Sequence, residues 1–150
     1  MSFDRFVVAQ FCDDIRQEIG NKHSLMGCYA EDLLVPALPW VLAKLCAQVK
    51  IATPVERPFE RLSVRALLNE ELIAELEFPA AQLDAAKRDI KSRDLGSERR
   101  MAVVALLTFS PLQVREAGKL RIEAETEEGL HRGSSLNIAV EPAPTPTTGT

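Results

Sequence analysis

A chain of 150 residues, 46% hydrophobic and 27% charged, has the size of one domain and can bury roughly 70% of its unfolded surface, so a disordered chain is excluded. Its formal net charge of −4 gives no general attraction for phosphate backbones, which argues against a nucleic-acid partner. No run approaches the ~18 apolar residues of a membrane-spanning helix, because Lys44 and Lys50 interrupt the best candidate, Leu38 to Ile51.

In chain order, the first element is an apolar strand from Phe6 to Cys12. Asp13 and Asp14 follow it at once with no small-residue cleavage site, so it does not read as a signal peptide, and the expected location is cytoplasmic. The acid pair is expected to end this strand, Gly20 and Asn21 to make the return, and Arg16, Glu18 and Lys22 to form exposed ion pairs. A second strand runs from Ser24 to Tyr29, where Gly27 marks a bulge or a close approach. After the connection YAEDLLVPALPW a third strand covers Leu42 to Ile51. Leu62, Val64, Ala66 and Leu68 then alternate with polar residues, turn at Asn69 to Glu71, and return through Leu72, Ala74, Leu76 and Phe78.

From Pro79 to Leu95 the period changes, with Leu83, Ala86 and Ile90 at helical spacing and Gly96 as the stop. An apolar strand, Met101 to Phe109, precedes a long hairpin over residues 119 to 140. There Leu120, Ile122, Ala124 and Thr126 share one face, Lys119, Arg121, Glu123 and Glu125 the other, and Gly133 is the place for a bulge. The more apolar strands are expected where both sheet faces are covered. The fold class that follows is mainly β, an antiparallel β-sandwich of about eight strands with one short helix. Residues 1–140 are expected to form its single domain, and residues 141–150, rich in Pro and Thr, a disordered tail.

Candidate sites are few. Asp13 and Asp14 leave the first strand while Asp32 follows the second, so their oxygens do not converge as a calcium loop requires, and no metal is expected. Cys12, Cys28 and Cys46 lie in apolar segments without CxxC spacing and read as buried, reduced thiols. His23 and His131 stand in no HExxH-type spacing, and no GxSxG or glycine-rich phosphate loop is present, so the chain is expected to be no enzyme and to carry no cofactor.

Two segments remain as binding candidates. Between Tyr29 and Trp40, the residues Tyr29, Leu33, Leu34, Val35, Leu38 and Trp40 would form a partner-binding surface if uncovered, or close one end of the core if packed. From residue 84 to 100, Lys87, Arg88, Lys91, Arg93, Arg99 and Arg100 could attract an anion or nucleotide. They are interleaved with Asp84, Asp89, Asp94 and Glu98 and have no aromatic platform beside them, so a solvated helix face is the stronger reading.

The residues Cys12, Asp13, Asp14, Ile15, Arg16, Glu18, Gly20, Lys22, Ser24, Leu25, Gly27 and Tyr29 form a pattern that resembles the N-terminal signature of a family of small uncharacterised bacterial and phage proteins. Members of that family often have glycine where this chain has Asn21, a change that a left-handed turn position tolerates. The resemblance implies a bacterial or phage source and transfers no catalytic residue. The expected function is a non-enzymatic cytosolic module for protein interaction, with an unidentified protein partner or through self-association. The alternatives are a phage-type structural or assembly protein and, after it, an anion binder using residues 87–100.

Overall fold

The computed structural model describes residues 4–92 and 100–142. The chain is mainly β, with two sheets facing each other as a sandwich. Its elements are β1 (Phe6–Glu18), β2 (Lys22–Cys28), β3 (Asp32–Val35), β4 (Trp40–Leu42), β5 (Leu45–Pro54), β6 (Leu62–Leu68), β7 (Glu71–Glu77), α1 (Ala80–Ser92), β8 (Arg100–Phe109), β9 (Leu112–Val114), β10 (Gly118–Thr126) and β11 (Gly129–Val140). One sheet has the order β2-β1-β5-β8, the other β3-β11-β10-β6-β7, and β4 pairs with β9 in a small third sheet.

Three short strands, β3, β4 and β9, add to the eight expected. The β3–β11 ladder is parallel, which departs from the purely antiparallel sandwich. The first strand also does not end at the acid pair. Asp13 and Asp14 lie inside β1, which continues to Glu18 because β2 supplies it with ladder partners from Cys28 back to Lys22. The return is the expected one, with Gly20 and Asn21 both at positive φ. The expected helix is α1; its continuation from 93 to 95, the stop at Gly96 and nearly all of the tail from 141 to 150 lie outside the described residues.

Alternation builds the core. Val7 and Phe11 of β1, Ala47, Val49 and Ile51 of β5, and Val103, Ala105 and Leu107 of β8 point to one side. They meet Val64 and Ala66 of β6, Leu120, Ile122 and Ala124 of β10, and Leu136 and Ile138 of β11. α1 adds buried Leu83, with Ala86 and Ile90 packed against the same cluster. Its first turn is closed by the Pro79 carbonyl, which accepts from the Gln82 and Leu83 amides at 3.0 and 3.2 Å.

The two sheets also touch along β1 and β11. Arg121 stands opposite Ser135, but Glu123 stands opposite Arg132, so Gly133 and Ser134 together face Ile122 in a bulge. The bulge turns Ser134 toward β1, where its Oγ accepts the Ala9 amide at 2.9 Å. Gly133 permits the approach: a Cβ there would lie 2.8 Å from Val7 Cγ1 and 3.0 Å from the Ile122 carbonyl oxygen. Gly133→Val is therefore expected to cost about 1–3 kcal/mol by overpacking. A urea midpoint equal to that of the parent protein would show that β1 does not rest on the bulge.

Arg5 fastens the same region. Its side chain is 2% exposed. Nε donates to Thr53 Oγ1 at 2.8 Å, Nη1 to Thr126 Oγ1 at 2.9 Å, and Nη2 to the Arg57 carbonyl at 2.9 Å and to Glu127 Oε1 at 2.5 Å. The guanidinium carbon stands 4.9 Å from the centre of the Phe59 ring. One planar fork thus joins the entry to β1, the β5–β6 connection and the β10–β11 turn.

Candidate functional site

The segment from Tyr29 to Trp40 divides into core and surface. Leu33 and Val35 are buried on β3, paired with Ile138 and Val140 of β11, so they belong to the core and cannot line a partner surface. Strand alternation turns Leu34 outward, 51% exposed. Tyr29 and Leu38 are half-buried against the core cluster. Trp40 is 37% exposed and pairs with Val114, beside the more exposed Val41. Of the six candidate residues, Leu34 and Trp40 are the ones that offer surface.

The acid pair is structural in its contacts. The Tyr29 hydroxyl donates to Asp13 Oδ1 at 2.7 Å. Burial and this bond to the carboxylate push the Tyr29 hydroxyl up to about 12. Gly27, at φ +67°, leaves the space that the Asp13 carboxylate occupies; a Cβ would lie 2.2 Å from its Oδ2. Asp14 accepts from Lys44 Nζ at 2.6 Å. That bond, with the Ile15 amide, holds Asp14 below the usual carboxylate range, and the same contact raises Lys44. Arg16 and Glu18 pair at 3.2 Å as expected, and Asp32 accepts from Asn137 Nδ2 at 3.1 Å on the other sheet. Among the described residues, no group of three or more His, Cys, Asp or Glu side chains is placed to hold a metal ion.

Cys12 and Cys46 are buried, but Cys28 is exposed. The expectation of three buried thiols fails at Cys28 because β2 is an edge strand, with no strand beyond it among the described residues. His23 Nδ1 lies 3.2 Å from Gln48 Nε2, and His131 Nε2 lies 3.2 Å from Thr126 Oγ1, on different sheets.

In the basic segment, Lys87 pairs with Glu60 at 3.9 Å and Asp84 at 3.7 Å, and the Arg100 guanidinium stands 5.8 Å from the centre of the Phe6 ring. Arg88 is exposed on the solvent face of α1. The Lys91 side chain, Arg93 and Arg99 lie outside the described residues. A cleft of about 420 Å³ lies elsewhere, between the β6–β7 turn and the β8–β9 connection, lined by Leu68, Ile73, Phe109 and Leu112 with Glu71 and Arg115 at its polar rim.

The strongest contrast is between the two outer faces of the sandwich. The β10–β6 face carries a charge lattice: Arg65 pairs with Glu125 and with Glu75, the latter at 3.6 Å, and Arg121 pairs with Glu123 and Glu70, both at 3.0 Å. The opposite face is formed by rungs across β1, β5 and β8. These are Phe6–Ala52–Ala102, Val8–Lys50–Val104 and Gln10–Gln48–Leu106, in which Lys50 is the single charge; Arg100, on the same side of β8, adds a second at one end, over the Phe6 ring. Val8 is 48% and Val104 42% exposed. Strands expected to be covered on both faces are thus open to solvent on one, and the apolar composition that suggested burial marks an apolar surface instead.

No protein-family model matches the chain, and no curated protein matches it. Among solved structures, the chain is similar to the CARDB domain of the PF1109 protein from Pyrococcus furiosus, determined in complex with di-metal ions. The two are 15% identical, the alignment covers 92% of this chain and 94% of that one, and the TM-score is 0.38. Among the described residues, no helix is long and apolar enough to cross a membrane.

Proposed function

We propose that the protein is a non-enzymatic interaction module that binds a protein partner through the outer face of β1, β5 and β8. The observation that carries this reading is a contrast between the centres of the two faces: over β6 and β10 one holds mutually paired charges, with exposed Leu34, Leu72 and Leu130 on its flanking strands, while the other presents Val8, Val104 and the half-buried Phe6 and Leu106 around Lys50, with Arg100 at one end. An interface core is poor in charge and rich in apolar side chains, and this face has that composition. β8 bounds it as the edge strand among the described residues, uncharged from Met101 to Phe109, a place where main-chain pairing would add to side-chain contact. The histidines support a non-enzymatic role, since each contacts a neutral side chain and they lie on different sheets. A cytoplasmic location and a bacterial or phage source belong to the same proposal.

Val8→Glu combined with Val104→Glu tests it. Both side chains are about half exposed, so the melting temperature is expected to stay within a few degrees of the parent value. Proteins retained from extract of the native host by the immobilised parent should be lost from the variant. The same proteins retained by both would reject this face as the interface. A closed ring or filament in light scattering, abolished by the two glutamates, would point to assembly of copies of this chain through the face.

A further inference from the structure

The three cysteines, far apart in sequence, stand on one rung. Cys28 of β2 is opposite Cys12 of β1, Cys12 is opposite Cys46 of β5, and Cys46 is opposite Thr108 of β8. Residues opposite one another in a ladder project from the same face of the sheet. The neighbouring rung determines the spacing. The Tyr29 amide donates to the Phe11 carbonyl at 2.9 Å, which makes Phe11 and Tyr29 a hydrogen-bonded pair. Pair types alternate along an antiparallel ladder, so Cys12 and Cys28 form a non-hydrogen-bonded pair, the type in which Cα atoms approach to about 4.5 Å and side chains lie closest. That separation falls within the roughly 4.4–6.8 Å that a disulfide spans. The backbone groups of Cys12 point toward β5 instead, so Cys12 and Cys46 form the wider type, about 5.5 Å apart.

We propose that Cys28 and Cys12 are a redox-active thiol pair that closes into a cross-strand disulfide on reaction with a small-molecule disulfide of the glutathione class. Exposure assigns the order of events. Cys28 is open to solvent and Cys12 is not. Burial, with Cys46 and Cys28 alongside, pushes the Cys12 thiol up to about 11, so at neutral pH it is protonated and does not initiate. The Cys28 thiolate attacks one sulfur of the small disulfide, forming a mixed disulfide and releasing one small thiol. The Cys12 sulfur then attacks that of Cys28, its proton passing to the departing sulfur, so that the second small thiol is released. Two protein thiols are oxidised and one small disulfide is reduced to two thiols. Cys46 remains a thiol, 3.8 Å from Thr108 Oγ1. The rung borders the apolar face described above, but the chemistry is independent of any partner bound there.

The test uses the full chain, native, incubated with oxidised glutathione, then acid-quenched, alkylated and digested with trypsin. Cleavage after Arg16, Lys22, Lys44 and Lys50 places the three cysteines in separate peptides. The expected product links the peptide of Cys12 to that of Cys28 and leaves Cys46 alkylated. Cys12→Ser should accumulate the glutathione adduct on Cys28, Cys28→Ser should remain fully reduced, and Cys46→Ser should form the same cross-link as the parent. A link to Cys46, or a glutathione adduct on Cys28 of the parent protein that never releases its second thiol, overturns the proposal. Should a serine variant fail to fold, the peptide map of the parent alone decides.

Discussion

Arg5→Ala is expected to lower stability by about 3–5 kcal/mol, the range found when one member of a buried, hydrogen-bonded charge pair is removed. The substitution takes away a fork that serves Thr53, Thr126, the Arg57 carbonyl and Glu127 together, and the cation above the Phe59 ring. The loss should fall toward the lower end, because Glu127 and Glu128 keep 28% and 34% exposure and can take up water once the cation is gone. Arg5→Lys should recover less than half, since an ammonium has three donors and no planar fork. Urea midpoints at neutral pH measure both variants, and a loss below about 1 kcal/mol for Arg5→Ala would contradict the assignment. Acid provides a second readout. Burial pushes the Glu127 carboxyl up, but the bond from Arg5 and the backbone amides outweigh it, and the group sits below its ordinary value of 4.5. A carboxyl depressed in the folded state contributes stability that is present above its unfolded value and is lost as pH falls through the folded one. Glu127→Gln should therefore flatten the decline of stability below about pH 4.5 and cost stability at pH 7.

Leu33→Ala and Leu34→Ala are expected to differ by several kcal/mol although the residues are adjacent. Leu33 is 2% exposed and rests against the core beside Ile138, so its truncation should cost about 2–5 kcal/mol through lost burial and a residual cavity. Leu34 is 51% exposed on the opposite side of β3, and its truncation should change stability by about 0.5 kcal/mol or less. The pair is also a direct check on register. A slip of one residue in the parallel β3–β11 ladder would exchange the two side chains, so the reverse order of effects would mean that β3 is placed one residue out.

The parts of the fold legible in the sequence are those governed by local pattern. The hairpins β6–β7 and β10–β11, the turn at Gly20 and Asn21, the bulge at Gly133 and the helix after Pro79 follow from period and turn chemistry over a few residues each. The elements that escaped depend on distant partners. β3 has four residues and exists because β11 lies beside it, and β4 and β9 have three each and, among the described residues, find their ladder partners in one another. Asp13 and Asp14 read as a strand end because acids rarely sit in strands; Tyr29 and Lys44, which make them tenable there, are distant in sequence and become neighbours only in the fold. Sites suffered in the same way. In sequence the cysteines stand 16 and 18 positions apart, and only register brings them onto one rung. Apolar composition in β1, β5 and β8 could not distinguish a face covered by protein from one left open.

The bond from Arg5 to Thr126, spanning 121 positions of the chain, also bears on how the protein emerges from the ribosome. At about 5–20 residues per second, roughly 6–24 seconds pass between synthesis of Arg5 and of its acceptor. Through that interval β1 and β5 can pair with each other, yet the surface that later receives β10 and β11 stays uncovered, because the covering strands are synthesised last. The nascent chain thus offers Val7, Phe11, Val49 and Ile51 to whatever binds apolar segments at the tunnel exit, and translation speed past β8 sets how long that offer lasts.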